Sequence, residues 1–404
     1  MIANGKLRSR LRCWRGATFA PFRQHARSTR LRLGAALAAM ALAGGGCTAI
    51  PYYTQAVTGE ISLLAAARPV SDWLADPNTP PELRERLELS VRIRAFASHE
   101  LSLPQNRSYT RYADVHRSSA VWNVFATPPL SLTLKTWCYP VFGCAAYRGY
   151  FAQDGAQKLA DALAAQGMDA TVAPVPAFST LGWFPDPLLS TFVRWPEPEL
   201  ARLIFHELAH QVVYVRDDTR FNESFATAVE RAGLARWVAQ RNDPALREQY
   251  ERYQLHHAGL LALVAQARRE LQDTYDAPLP EAERLARKQA ILAQLPEHYR
   301  RMRDEQWKGF RGYDEFFLAP WNNARIAALA AYQDDVPAFD ALLASVGGDL
   351  PRFFERVRQL AAMAPAVRDA ALRSLVAPAK DHRSAGGDAA PARLVPEGSK
   401  STAG

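Results

Sequence analysis

The first 46 residues contain no aspartate or glutamate, although nine of the 49 basic residues of the chain lie among them. The rest of the chain holds the other 40 basic residues and all 41 acidic ones, so its net charge is −1. The overall charge of +8 therefore belongs to the N-terminal segment. A nearly neutral body lacks the basic surface that phosphate backbones require, and we expect no nucleic-acid binding.

The chain also lacks an apolar run long enough to span a bilayer; the run at residues 33–43 is too short. It follows the basic stretch and precedes three glycines and Cys47, an order typical of a secretion signal. We predict that residues 1–46 are a signal peptide and that the mature chain faces the periplasm. The small residues before Cys47 resemble a bacterial lipoprotein cleavage site, which predicts a lipidated Cys47 and a membrane anchor. Thr48 after it favours the outer membrane; an ordinary signal with an incidental cysteine is the alternative.

Cysteine is scarce, with four in 404 residues. Cys13 lies in the signal segment and Cys47 at its end, which leaves Cys138 and Cys144 on either side of a Pro/Gly turn. In an oxidising compartment this pair could form a disulfide, and two buried reduced thiols are the alternative. A structural zinc site needs four ligands, so this pair alone does not predict one.

Hydrophobic periodicity divides the remainder of the chain. Residues 47–120 read as an N-terminal helical segment, residues 241–377 as a helical C-terminal part, and residues 378–404 as a disordered tail. The stretch between them, residues 121–240, combines short β-prone runs with helices. The runs at 121–125, 130–134 and 170–173, with a helix at 154–166, predict a small mixed sheet. The predicted fold class is α+β and mostly helical.

The chain contains the motif His206-Glu-Leu-Ala-His210, in a helix predicted for residues 197–215. Residues four apart lie on one helix face, so both imidazoles can occupy two corners of a tetrahedral zinc site. Glu207, beside them, is placed to act as general base and then general acid. A chance match on an amphipathic helix is the alternative, but polar groups among so many apolar neighbours would be costly without a partner.

A catalytic zinc needs a third protein ligand and an open position. Glu223 begins the next predicted helix, residues 222–240, and the intervening loop is long enough for an antiparallel return. Glu230 is seven residues further on the same face, so it could be the ligand instead, or an acid behind the ligands. Asp217 in the loop could orient an imidazole or be a solvated charge.

These residues resemble a known family. His206-Glu-Leu-Ala-His-Gln211 and Asn222-Glu-Ser-Phe-Ala-Thr-Ala-Val-Glu230 are similar to the gluzincin metallopeptidases, and in particular to zinc aminopeptidases. Five further blocks resemble a bacterial aminopeptidase family of exported lipoproteins over roughly residues 47–375: residues 135–150, 179–189, 217–223, 336–339 and 347–350. The resemblance implies one catalytic Zn²⁺ held by His206, His210 and Glu223, with Glu207 as the acid/base. It also implies that residues 121–240 are a zincin-like metallopeptidase core.

One departure from the zinc aminopeptidases concerns the free amine of the substrate. They carry a Gly-x-Met-Glu-Asn strand whose glutamate binds that amine, and this chain has none. Asp186 is a candidate replacement, and a loop-capping aspartate is the alternative. The candidate oxyanion donors are tyrosines that could equally be packed aromatics: Tyr147, Tyr150, Tyr214 and Tyr313. The segment 170–179 is a candidate edge for the substrate backbone.

The sequence therefore predicts a peptidase of the cell envelope, with peptides as partners and an aminopeptidase as the first choice. An envelope endopeptidase is one alternative. A zinc-stabilised lipoprotein without catalysis is the other, and Glu207 argues against it because a structural zinc needs no general base. Nothing in the sequence predicts the oligomeric state.

Overall fold

Helices make up most of the fold, and the predicted α+β, mostly helical class is confirmed. The computed structural model describes residues 49–139, 143–177 and 179–376. The chain divides into two compact units, residues 1–58 and 59–404. The helices of the described part are α1 (Ala49–Ala66), α2 (Val70–Ala75), α3 (Pro81–His99), α4 (Gln153–Ala164), α5 (Glu197–Ala209), α6 (Thr219–Arg241), α7 (Pro244–Asp276), α8 (Glu281–Glu305), α9 (Asp314–Leu318), α10 (Asn323–Ala331), α11 (Val336–Ser345), α12 (Leu350–Ala361) and α13 (Pro365–Val376).

The strands of the described part form three small sheets. They are β1 (Arg68–Pro69), β2 (Arg111–Ala113), β3 (Val121–Thr127), β4 (Trp137–Tyr139), β5 (Gly143–Ala145), β6 (Arg148–Tyr150), β7 (Asp169–Val175) and β8 (Leu188–Leu189). The sheet orders are β1-β2-β8, β6-β3-β7 and β4-β5. In the second sheet β3 is antiparallel to both neighbours, with Val121 opposite Val175 and Thr127 opposite Asp169. Every residue of β3 is buried, because α4 and α10 both pack against this sheet.

The strand predicted at residues 130–134 is wrong, because this stretch is irregular in the structure. Its alternating leucines, Leu130 and Leu132, pack instead against the core formed by α7 and α8. The neighbouring carbonyls are bonded by side chains, since Asn323 Nδ2 donates to Pro129 and Ser131, both at 3.1 Å. The alternating leucines do pack against a hydrophobic core, but that core is formed by helices far away in the sequence.

The helix that contains the His206–His210 motif is shorter than predicted. It was expected to continue to residue 215, but α5 ends at Ala209 and His210 is its C-cap. The chain turns there because the Asn222 side chain binds both backbone groups of Val215, each at 2.7 Å. Asp218 then caps α6 by accepting the Phe221 N–H at 3.0 Å. The motif thus lies at the end of its helix rather than in the middle.

Two large hydrophobic cores support the helices, and a third, smaller one lies between β3 and α4. The larger one lies beneath α5 and α6 and includes Phe205, Phe225 and Phe353. The second joins α7, α8, α9 and α10, where Tyr299 stacks on Phe317 with ring centroids 4.4 Å apart. This arrangement places α10 against the sheet and near α6.

Several predictions fall on parts of the chain that the structure does not describe. The signal peptide at residues 1–46, the lipidation at Cys47 and the tail at residues 378–404 all lie outside the described residues. Within the described residues, no helix combines the length and the apolar character needed to cross a membrane.

Candidate metal centre

Helices α5 and α6 bring the motif residues together. They pack side by side, and the nine-residue connection between them reverses the chain. His210 at the end of α5 thus faces Glu223 near the start of α6, while His206 one turn back reaches the later residue Glu230. The structure therefore contains the antiparallel pair of helices that the loop length predicted.

Three ligand atoms converge in the interior. His206 Nε2 lies 3.2 Å from His210 Nε2 and 3.3 Å from Glu223 Oε2. The third side of the triangle, from His210 Nε2 to Glu223 Oε2, is 3.6 Å. Ligands about 2.05 Å from a tetrahedral zinc lie roughly 3.3 Å from one another, so this triangle has the size of a zinc site.

The donor set fits a divalent cation for a second reason. The Nε2 atoms of two buried imidazoles point at each other, and among the described residues His210 Nδ1 has no hydrogen-bond partner. Hydrogen bonds to Glu223 and Glu230 raise the pKa of His206 to about 10, although burial opposes its charge. Burial likewise opposes the charge of Glu223, but the two histidines hold its pKa at about 2. The centre therefore favours a positive charge, which a proton or a metal ion can supply.

Glu230 lies behind the triangle rather than in it. Its Oε2 accepts a hydrogen bond from His206 Nδ1 at 2.9 Å, so the ring presents Nε2 to the centre. Arg202 donates to both oxygens of Glu230, at 3.0 and 3.2 Å. A carboxylate that holds the distal nitrogen of a ligating histidine fixes its tautomer and orientation. The structure thus places Glu223 with the histidines and gives Glu230 the supporting position.

Glu207 lies beside the triangle with its carboxylate free of protein hydrogen bonds from the described residues. Its side chain is buried, and this burial raises its pKa above the ordinary range of a glutamate. The charges of His206 and His210 act in the opposite direction. A buried carboxylate with unused acceptor capacity, next to a cation site, has the placement of a general base.

Asp217 does not reach an imidazole. Its Oδ1 accepts the backbone N–H of Cys144, which fastens the β4–β5 hairpin to the loop between the two ligand helices. Gly143 makes this approach feasible, because it has φ +81° and a Cβ there would overlap Asp217. A disulfide joins Cys138 and Cys144, which face each other across the hairpin with an S–S distance of 1.99 Å.

Asp186 caps a loop and also contacts the motif helix through Gln211. It is buried and accepts the Thr180 N–H at 3.1 Å and the Gln211 Nε2–H at 3.3 Å. Burial raises the pKa of Asp186 to about 6, and the charge of Glu207 contributes. Its oxygens are thus engaged within the protein, which agrees with the loop-capping interpretation.

The sequence missed Tyr332. Its ring stacks on His206, with centroids 6.5 Å apart and an interplanar angle of 26°. Burial raises its pKa well above the ordinary value, and the charges of Glu223 and Glu207 add to this. The residue follows α10, far from the motif in sequence, so no spacing rule could have found it.

The four tyrosines named from the sequence lie in different surroundings. Tyr214 is close enough to Glu223 for that charge to help raise its pKa, after burial. Tyr147 interacts with Tyr332 and packs on Phe125, with ring centroids 5.7 Å apart. Tyr313 packs with Trp307 in the second core, and Tyr150 lies on β6 under Arg148. Tyr332 and Tyr214 are thus the tyrosines on which the charge of Glu223 acts, and Tyr147 lies beside Tyr332.

The candidate substrate edge is partly covered. In the described sheets β7 pairs with β3 alone, so its other side is an edge. Asn322 Nδ2 donates to the Ala170 carbonyl at 2.7 Å, and the Asn323 N–H donates to Asp169 Oδ2 at 2.8 Å. The start of β7 is therefore capped by α10, and a substrate strand could pair only beyond it.

Taken together, fold and site define a mostly helical α+β protein with a buried His₂Glu centre that could hold a metal ion. Residues 51–372 match the family model described as "Putative aminopeptidase", and the chain belongs to that family. Membership supports a peptidase. No curated protein and no solved structure matches the chain.

Proposed function

We propose that the protein is a zinc-dependent peptidase and, as the first choice within that class, an aminopeptidase. The observation that carries the proposal is the buried triangle of His206, His210 and Glu223 with the unengaged carboxylate of Glu207 beside it. Two imidazole nitrogens with one carboxylate suit zinc. The family match over residues 51–372 supports the peptidase class independently of the site.

Each residue around the centre has a role in this mechanism. Zinc, when bound, supplies a Lewis acid that polarises the scissile carbonyl and acidifies water. Glu207 accepts the proton of the attacking water and later delivers it to the departing amine. Its burial raises its pKa toward neutrality, which suits a group that both accepts and donates a proton.

The other groups orient a metal ligand or stabilise the negative charge that develops on the substrate. Glu230, held by Arg202, keeps His206 oriented with Nε2 toward the centre. Tyr332 lies near Glu223 and Glu207, so its hydroxyl is the candidate donor to the carbonyl oxygen as negative charge develops there. A phenol whose pKa is raised stays protonated at working pH and remains a hydrogen-bond donor.

We also propose that the chain is exported and anchored by a lipid on Cys47, facing the periplasm at the outer membrane. The support is the order of basic, apolar and small residues before Cys47. The Cys138–Cys144 disulfide is compatible with an oxidising compartment. Metabolic labelling with a radioactive fatty acid tests this: the full chain should be labelled and the Cys47→Ala variant should not.

Two measurements test the catalytic proposal. Hydrolysis of unstructured peptides should stop when a chelator removes metal and return when zinc is added back. Peptides with free and with acetylated N-termini then separate the aminopeptidase from the endopeptidase, because only the first needs the free amine. Equal cleavage of both would contradict the aminopeptidase assignment and leave the zinc peptidase standing. No zinc-dependent cleavage of either would contradict the proposal as a whole.

A further inference from the structure

An uncharged loop next to the metal centre exposes two large aromatic side chains. The loop, residues 179–187 and here called the aromatic loop, reads Ser-Thr-Leu-Gly-Trp-Phe-Pro-Asp-Pro. Trp183 is 69% exposed and Phe184 is 49% exposed. Its single charged residue, Asp186, is buried beneath the loop, so the solvent-facing surface is apolar. Exposed apolar surface of this kind is typical of a binding site.

The aromatic loop is held in one conformation by backbone and side-chain hydrogen bonds. The Thr180 hydroxyl donates to the Phe184 carbonyl at 3.1 Å and accepts the Phe184 N–H at 3.0 Å. The Trp183 N–H donates to the Thr180 carbonyl at 3.1 Å. Asp186 accepts the Thr180 N–H from below. A surface presented by a pre-ordered loop loses little entropy when it binds a ligand.

The position of the aromatic loop is fixed by Gln211, the residue that follows the ligand His210. Gln211 Nε2 donates to Asp186 at 3.3 Å, and a Cβ on Gly182 would lie 3.5 Å from Gln211 Oε1. The charge of Glu207 also acts on Asp186, which lies beneath the loop, so the loop and Glu207 are close together. The aromatic loop therefore lies on the Glu207 side of the metal centre, while Tyr332 and Glu230 lie near His206.

We propose that the aromatic loop binds a large apolar side chain of the peptide substrate, next to the scissile bond. This inference rests on the proposed function and names the substrate class of the same site. The occupant follows from the position: a peptide whose carbonyl lies between the metal centre and Glu207 lies next to the loop, because Gln211 and Asp186 hold the loop beside the end of α5. An uncharged aromatic surface there favours Phe, Leu or similar side chains over small or charged ones.

The test uses the full chain and a set of peptides that differ by Ala or Phe at one position on either side of the cleaved bond. The unsubstituted protein should prefer Phe at one of these positions by about ten-fold in kcat/KM. In the double variant Trp183→Ala, Phe184→Ala this preference should fall to about one, while cleavage of the Ala peptide is retained. The conservative pair Trp183→Phe, Phe184→Leu should keep the preference. The control is Val91→Ala, which removes a 48% exposed apolar side chain on α3.

Three results would overturn the inference. An unchanged preference in the double variant would show that the rings do not contact the substrate. Equal slowing of Ala and Phe peptides would assign the rings a structural role. If the double variant keeps the preference for Phe but no longer binds phosphatidylcholine vesicles that the unsubstituted protein binds, the loop would be assigned to a membrane surface instead. In these cases the chain still cleaves peptides, so the proposed function survives; a chain that cleaves none refutes that function and this inference with it.

Discussion

Two polar clusters in the interior of this protein both contain charged side chains, and they differ in how those side chains are hydrogen-bonded. One is the metal centre, with His206, His210 and Glu223. The other, here called the lysine cluster, contains Lys288, Asp169 and Asn323 and joins α8 and α10 to the start of β7. Both place charged side chains in the interior, which is costly unless each charge is paired and hydrogen-bonded.

In the lysine cluster every group ends on a complementary partner. Lys288 Nζ lies 2.7 Å from Asp169 Oδ2 and donates to the Pro129 carbonyl at 2.8 Å. The Asn323 side chain donates to two carbonyls and accepts the Tyr275 hydroxyl at 2.7 Å. These contacts join elements that are distant in sequence, and each of the three side chains has a hydrogen-bond or ion-pair partner.

In the metal centre the groups converge on one point and leave capacity unused. Two imidazole nitrogens face each other, His210 Nδ1 has no partner in the described part of the chain, and Glu207 accepts no hydrogen bond there. The comparison teaches that buried charge alone does not indicate a functional site. A functional site is indicated where ligand atoms converge and their hydrogen bonding is incomplete, because a ligand is then needed to complete the hydrogen bonding and the charge balance.

The largest effect that separates the two clusters is expected at Glu207. Glu207→Gln keeps the shape of the side chain but removes the base, so kcat should fall by about 10²–10⁴-fold while zinc content is unchanged. Steady-state hydrolysis and elemental analysis of the same sample measure both quantities. Glu88→Gln, an exposed acid on α3, is the control and should retain activity. A Glu207→Gln variant with normal kcat would remove Glu207 from the mechanism.

The contact between Glu230 and His206 should show its effect in the affinity for zinc. Glu230→Gln weakens the hold on His206 Nδ1, so zinc dissociation constants should rise by about 10–100-fold. Competition against a fluorescent zinc chelator measures this. Glu248→Gln, an exposed acid on α7, should leave the affinity unchanged. Unaltered zinc affinity in Glu230→Gln would mean that the contact with His206 has no role in metal binding.

A substitution in the lysine cluster should lower stability and leave zinc binding unchanged. Lys288→Met leaves Asp169 without its buried partner, so the free energy of unfolding should fall by about 2–4 kcal/mol. Zinc stoichiometry should not change, because the cluster contributes no ligand. Urea denaturation measures the first and elemental analysis the second, with the exposed Lys158→Met on α4 as control. A stable Lys288→Met that loses zinc would reverse the assignment of the two clusters.

The smallest effect concerns Glu60, an acid of the larger unit whose Oε1 is buried without a hydrogen-bond partner in the described part. Burial, followed by the charge of Asp186, raises the pKa of Glu60 to about 7. The folded protein therefore holds this proton more tightly than the unfolded chain, and its contribution to stability is lost as pH rises from about 4.5 to 7.

Glu60→Gln mimics the protonated form at every pH. It should raise the free energy of unfolding at pH 8 by about 1 kcal/mol, after allowance for partial exposure, and change little at pH 4. Urea titrations at the two pH values measure this, with the exposed Glu85→Gln on α3 for comparison. The same shift at both pH values would indicate a packing effect instead of a titration.

The sequence predicted what depends on local spacing. The facing of His206 and His210 follows from helix periodicity, and the approach of Glu223 follows from the length of the loop. The helix at 154–166 and the strands at 121–125 and 170–173 correspond to α4, β3 and β7 for the same reason.

What the sequence could not predict depends on contacts between distant segments. The stacking of Tyr332 on His206 requires α10 to pack near α6, and the end of α5 at Ala209 is set by the side chain of Asn222. The irregular stretch at 130–134 took its partners from α7 and α8. In each case a local pattern was overridden by a tertiary contact that no spacing encodes.

The central claim is that the buried triangle is a zinc site. Elemental analysis of the purified full chain tests it most directly, alongside the Glu223→Ala and Glu207→Gln variants. We predict one zinc per chain in the unsubstituted protein and in Glu207→Gln, and loss of most of that zinc in Glu223→Ala. Absence of stoichiometric zinc after incubation with it, or full retention in Glu223→Ala, would contradict the claim.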